Sequence, residues 1–182
     1  QIKKGPVCPV KGPWIPFKDG KFYTPTGKAH FFCEPWAAKG FLPVVTYRQV
    51  KESPVGNPEL AKKYPLMAIQ RKVIRNIHTS FQNNEWLDEL FAKEPTVQMH
   101  TKDAQARGIK QGDKVVVYND RGQHPTVAIV NDDILPGVLC LENGWWMGQN
   151  GFNSSSVLTN DTVEILGTGT SICSTLVDVK KA

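Results

Sequence analysis

From Tyr64 onward the chain is a series of short apolar runs, each closed by a turn signal, and this pattern confines it to a small set of folds. Residues 66–69, 96–100, 114–119, 126–130, 138–141 and 175–180 read as strands. Gln111-Gly112-Asp113 turns into the run holding Val115, Val116 and Val117, and Leu135-Pro136-Gly137 turns into the run at 138–141. Asn119-Asp120-Arg121-Gly122 reads as a hairpin turn in which Gly122 is free to take positive φ. Helical signals are brief. Asn83 or Asn84 is expected to cap a helix with Trp86, Leu87, Leu90 and Phe91 on one face. Thr101 is expected to cap a second helix, which Gly108 ends. Many short strands, few helices and tight turns predict a mainly β fold with short helices, either a barrel or a sandwich.

Residues 1–63 have a different texture. Pro6, Pro9, Pro13, Pro16, Pro25, Pro35, Pro43, Pro54 and Pro58 interrupt every run, so helices are not expected there. Thr24-Pro25-Thr26-Gly27 predicts a hairpin between 22–23 and 29–32. Trp14, Phe17, Trp36, Phe41 and Tyr47 are too apolar for a free linker, so residues 1–63 read as an extended arm and 64–182 as the barrel domain. Charge divides the same way. The arm holds eleven Lys/Arg against four Asp/Glu, and the remainder eleven against thirteen. A nucleic-acid reader carries its positive stripe on the folded domain. This chain does not, so no nucleic-acid partner is expected.

Cys8, Cys33, Cys140 and Cys173 are widely spaced, with no CxxC pair, so they read as free thiols and not as zinc or iron–sulfur ligands. No apolar run approaches the ~20 residues that span a bilayer as a helix, so direct membrane insertion is not expected. No P-loop, GxSxG or nucleophile–base–orienter set occurs, and no catalytic residue is predicted. That absence suits a domain that holds a cofactor while the cofactor supplies the chemistry.

The order of motifs between 103 and 137 carries a resemblance. Asp103-Ala104 is followed by Arg107-Gly108-Ile109, Gly112-Asp113-Lys114-Val115, Tyr118-Asn119-Asp120-Arg121-Gly122 and Pro136-Gly137-Val138. With Tyr64-Pro65-Leu66, His78-Thr79, Gly144-Trp145-Trp146, Leu158-Thr159 and Thr175-Leu176-Val177-Asp178-Val179 in sequence, the chain resembles the molybdopterin-dinucleotide-binding C-terminal domain of the dimethyl sulfoxide reductase family. Thr24-Pro25-Thr26-Gly27-Lys28 is similar to the segment that precedes the domain.

The resemblance implies a double-psi β-barrel of the aspartate-decarboxylase-like kind. It also implies a molybdenum bis(molybdopterin guanine dinucleotide) cofactor, used for oxygen-atom or electron transfer by a longer parent subunit. The metal ligand and the iron–sulfur cysteines of the family lie in other domains, so the isolated chain is expected to be inactive and to hold neither cofactor nor metal. The implied partners are those other domains and an iron–sulfur electron-transfer subunit. Two departures from the family pattern stand out. Ser155 and Ser156 occupy the place of an Asn ahead of Leu-Thr, and Gln70-Arg71-Lys72 replaces Thr or Ser followed by Arg. A stand-alone decarboxylase-like barrel would need a self-processing Gly-Ser step, which this sequence lacks. A non-enzymatic adaptor barrel fits poorly with the aromatic arm and the tryptophan-rich loop.

A dinucleotide cofactor needs donors for phosphate, amides near its heterocycles, and glycines where backbone must come close. The polar stretch 70–80 offers Gln70, Arg71, Arg75, His78, Thr79 and Ser80. Asp103 either supports the N-terminus of its helix or approaches the nucleotide. Trp145 and Trp146, bracketed by Gly144 and Gly148, either pack in the barrel or close over a heterocycle, and Asn153, Ser155 and Ser156 follow on the same loop. These segments are expected to meet on one surface, with Arg71 and Arg75 exposed to ligand.

Overall fold

The computed structural model describes residues 5–7, 12–91, 93–148, 151–163 and 169–182. It divides into two compact units, 1–48 and 49–182.

The described part of the first unit contains turns and a short helix, α1 (Glu34–Ala37), and no strand. The predicted turn forms, with Gly27 donating to the Thr24 carbonyl at 3.0 Å and Gly27 at φ +69, but no paired strands flank it. The expectation of no helix is corrected by α1, whose proline sits in the first turn, where a missing N–H costs nothing.

The second unit is a six-stranded closed barrel ordered β1-β5-β2-β4-β3-β6. Its strands are β1 (Leu66–Arg71), β2 (Thr96–His100), β3 (Lys114–Tyr118), β4 (Gln123–Asn131), β5 (Val138–Glu142) and β6 (Thr175–Lys181). β5 lies between β1 and β2, parallel to β1, and β4 lies between β2 and β3, parallel to β2. Strand β6 closes the ring by pairing antiparallel with both β1 and β3. These two interleaved crossings make the expected double-psi barrel.

Alternation sends Val115 and Val117, Val97 and Met99, and Val177 and Val179 into one core. Each such side chain contributes about 1.5–3 kcal/mol through burial. Closure also removes the unpaired edges that an open sheet would expose.

Several boundaries and caps differ from the sequence expectation. Strand β1 runs on through Gln70 and Arg71, because its backbone continues to pair with Leu141 and Glu142. Strand β4 begins at Gln123 and includes Pro125, which is tolerated because β2 pairing starts only at Val127, leaving no partner to miss the absent N–H. His100, not Thr101, caps the helix Thr101–Ala106: its Nδ1 accepts from the Lys102 amide at 3.0 Å, while the Thr101 hydroxyl donates to Asp132. Gly122 has no positive φ. The Asn119 side chain holds that turn by accepting from the Arg121 amide at 3.0 Å, and a Cβ on Gly122 would stand 3.0 Å from the Val157 carbonyl oxygen.

Residues 49–63 belong with the barrel. They include α2 (Pro58–Lys63), capped by Asn57 and opened by Pro58, a second helix where prolines had argued against one. Within this stretch Glu52 is buried and accepts from the Leu176 amide at 2.8 Å, from Arg121 at 2.5 Å and from Asn160 at 3.1 Å.

Candidate functional site

β1 and β5 are parallel, so they end side by side, with Arg71 opposite Glu142. Two loops leave this rim, residues 72–82 and 143–148. The Asn143 amide donates to the Arg71 carbonyl at 3.0 Å as the second loop departs. The Glu142 carboxylate sits buried at the junction. It accepts from Arg71 Nη2 at 2.8 Å, from the Thr96 hydroxyl at 2.7 Å and amide at 3.2 Å, and from Trp145 Nε1 at 3.1 Å. A buried carboxylate is costly unless satisfied in this way.

The first loop is tightly wound. His78 and Phe81 adopt φ +54 and +74, which side-chain-bearing residues rarely take, and Ser80 donates its amide to the Ile77 carbonyl at 3.0 Å. Arg75 anchors the loop from within. Its guanidinium is buried, donates to the Gln82 carbonyl at 3.1 Å, pairs with Asp88 and lies 6.0 Å from the Trp145 ring centroid. The two loops are also joined directly: Trp146 Nε1 donates to the Thr79 carbonyl at 2.7 Å, and Asn76 Nδ2 donates to the Gly144 carbonyl at 3.4 Å. Gly144, at φ +90, packs so closely that a Cβ there would lie 1.9 Å from the His78 carbonyl oxygen.

A third loop arrives from further along the chain. Ser155 is buried and donates its hydroxyl to the Glu142 carbonyl at 3.1 Å, while Asn153 donates to the Gln123 carbonyl at 3.1 Å. Ser156 is exposed beside Ser155, in a short 3-10 turn, Ser155–Leu158. A cavity of about 210 Å³ lies where the first two loops leave the strands, lined in part by Arg71, Lys72, Arg75, Phe91, Glu142 and Trp145.

The structure therefore gathers Gln70, Arg71, Arg75, His78, Thr79, Ser80, Trp145, Trp146 and Ser155 at one end of the barrel, with Asn153 and Ser156 on the adjoining loop. The single surface expected to include Asp103 is corrected. Asp103 accepts from the Gly137 amide at 2.7 Å, at the start of β5, whereas the other segments meet where β5 ends. Arg75 is also not exposed as expected, because its charge is consumed inside the loop. Sequence reasoning missed Glu142 and Glu52. The only signal available for Glu142 was a carboxylate closing an otherwise apolar strand.

Among the described residues no three His, Cys, Asp or Glu side chains gather to hold a metal, and no helix is long and apolar enough to cross a membrane. Cys33, Cys140 and Cys173 are free thiols, and Cys8 lies outside the described residues. Burial pushes the Cys140 thiol up, which keeps it protonated and a poor ligand.

Residues 66–173, from the first strand of the barrel to just before its last, match the family described as the molydopterin dinucleotide binding domain. The chain belongs to that family. It is 29% identical over 182 residues to a probable oxidoreductase, YyaE, of Bacillus subtilis, covering 100% of this chain and 26% of that one. It is 42% identical over 86 residues to a putative catalytic subunit of dimethyl sulfoxide reductase from Halobacterium salinarum, covering 47% of this chain and 10% of that protein. These relatives place the domain in the dimethyl sulfoxide reductase family of molybdopterin oxidoreductases. Acetylene hydratase from Pelobacter acetylenicus shares its fold with a TM-score of 0.79 at 18% identity, over 92% of this chain and 25% of that one. The domain thus spans about a quarter or less of each of these proteins.

Proposed function

We propose that the chain is the cofactor-holding domain of a longer catalytic polypeptide, and that the rim where β1 and β5 end binds one dinucleotide arm of molybdenum bis(molybdopterin guanine dinucleotide). The convergence of two loops distant in sequence on one cavity, with a third fastened beside them to the Glu142 backbone, carries this reading.

The residues there suit such a group. Arg71 Nε and Asn76 Oδ1 are buried with no partner within the described chain, one a donor and the other an acceptor. A heterocycle rich in amides and carbonyls would satisfy both, and leaving them unmet costs about 1–3 kcal/mol each. Arg71 at the end of β1 and Asn76 in the first loop would hold the ligand, with His78, Thr79 and Ser80 beside them. Trp146 is half-exposed and offers an aromatic face, while Gly144 lets the two loops close to the distance the cradle needs. When bound, the cofactor supplies the redox centre for oxygen-atom or electron transfer. The chain's own part is to bind it, orient it and exclude water.

The rim also bears apolar side chains turned to solvent. Ile74 is 90% and Ile77 65% exposed, and Trp86, Leu90 and Met147 are exposed as well. Such a grouping marks a face that further protein covers. The proposed partners are accordingly the remaining domains of the same polypeptide, with an iron–sulfur electron-transfer subunit beyond them.

Purifying the natural protein that contains this chain tests the reading. Its mass should exceed that of the 182 residues, and acid hydrolysis should release guanosine monophosphate together with molybdenum or its analogue tungsten. A natural product of this length alone, with no guanine nucleotide, would refute it.

A further inference from the structure

Three basic side chains line the cavity, and they differ in what already holds their charge. Arg71 faces Glu142 at 2.8 Å, and Arg75 is buried against Asp88. Lys72 has no carboxylate partner among the described residues. Its ammonium meets only the His78 ring, Nζ to Nε2, at 3.5 Å.

We infer that Lys72, with His78 beside it, is the contact for the pyrophosphate of the bound dinucleotide, and that Arg71 and Arg75 serve the architecture of the loops. The inference rests on the proposed function and deepens it.

The physical reason is charge balance. A phosphate entering beside Arg71 or Arg75 must share a guanidinium with a carboxylate already bonded to it, and like charge at that distance opposes entry. Lys72 is exposed at the first position after β1, at the cavity mouth, where its flexible stem can follow a phosphate and its compact charge can serve more than one oxygen. His78 sits at a left-handed turn of the loop, and its Nε2 stands 3.5 Å from Lys72 Nζ, so two nitrogens stand together. Arg71 retains one N–H for an uncharged acceptor, in keeping with its matched charge.

The test uses the full-length cofactor-loaded protein. It reads the guanosine monophosphate released per polypeptide, following desalting at low and at raised salt. In Lys72→Gln the retained nucleotide should fall roughly tenfold or more, with the thermal midpoint of the cofactor-free protein unchanged. Its remaining retention should lose most of its salt dependence, and Lys72→Arg should keep the nucleotide. Wild-type retention in Lys72→Gln would overturn the inference. So would a loss accompanied by a lowered midpoint of the cofactor-free protein, which would mark a structural role. If the wild-type protein releases no guanosine monophosphate at all, the proposed function fails, and the inference fails with it.

Discussion

His124 shows how much one residue in the barrel wall can carry. Alternation in β4 turns its ring into the fully buried interior, where neither nitrogen makes a hydrogen bond of good geometry. Burial lowers its pKa from 6.5 to about 4, and the nearby Asn153 backbone offsets only part of that. Between these two values the unfolded chain binds the proton and the folded one does not, so stability rises with pH across the window. It is complete above 6.5 and lost as pH falls toward 4, by on the order of 3 kcal/mol. Urea midpoints measured from pH 7 to pH 4.5 should fall accordingly, and His124→Leu should flatten the slope. A wild-type midpoint constant over that range would exclude the effect. Arg75 makes a second case. Because it anchors loop 72–82 from within, Arg75→Met should cost about 2–3 kcal/mol by leaving Asp88 and the Gln82 carbonyl unmet. An unchanged melting midpoint would show that the ion pair does not hold the loop. From the sequence, Arg75 looked like an exposed ligand contact, since nothing local distinguishes an arginine facing solvent from one facing Asp88.

At the scale of elements, the strands were readable wherever core positions alternate, as in β2 and β3, because alternation is a local property of the chain. Ends were less readable. Gln70 and Arg71 look like loop residues but pair as strand, since backbone pairing does not depend on side-chain polarity. The stretch 49–63 is the clearest instance of tertiary override. Its prolines suggested an arm, yet Glu52 is bonded to β6, to Arg121 and to Asn160. Removing residues 1–63 should therefore leave a barrel whose thermal midpoint is several degrees or more below that of the chain lacking only 1–48. The loss of Glu52 leaves the Leu176 amide and Arg121 without their acceptor, about 1–3 kcal/mol for each group. Equal midpoints for the two truncations would show that the segment is dispensable.

For the whole molecule, the barrel supplies a rigid frame whose strand ends present loops, the common way to build a binding site. The core is complete between Leu66 and Val179, and the described residues hold no metal-binding cluster. On the proposed reading, in which the reaction belongs to a longer polypeptide, the purified 182-residue chain is expected to fold while showing no reductase activity and no bound metal. Elemental analysis finding stoichiometric molybdenum or iron in it, or turnover with a sulfoxide or N-oxide and a reduced dye, would contradict that expectation.

The sequence by itself determined the mainly β class, the turns, most strands and the ordered motifs that mark the family, because alternation, turn chemistry and motif order are all written along the chain. It also pointed to the stretch 70–80 and to the two tryptophans. Only the tertiary structure decided that β5 inserts between β1 and β2, which brings Arg71, Trp145 and Ser155 around Glu142 and carries Asp103 to the opposite end. Parallel pairing and buried charge are made between residues far apart in the chain. Which cation is matched by a carboxylate, and which is not, is settled by that pairing and not by neighbours in sequence.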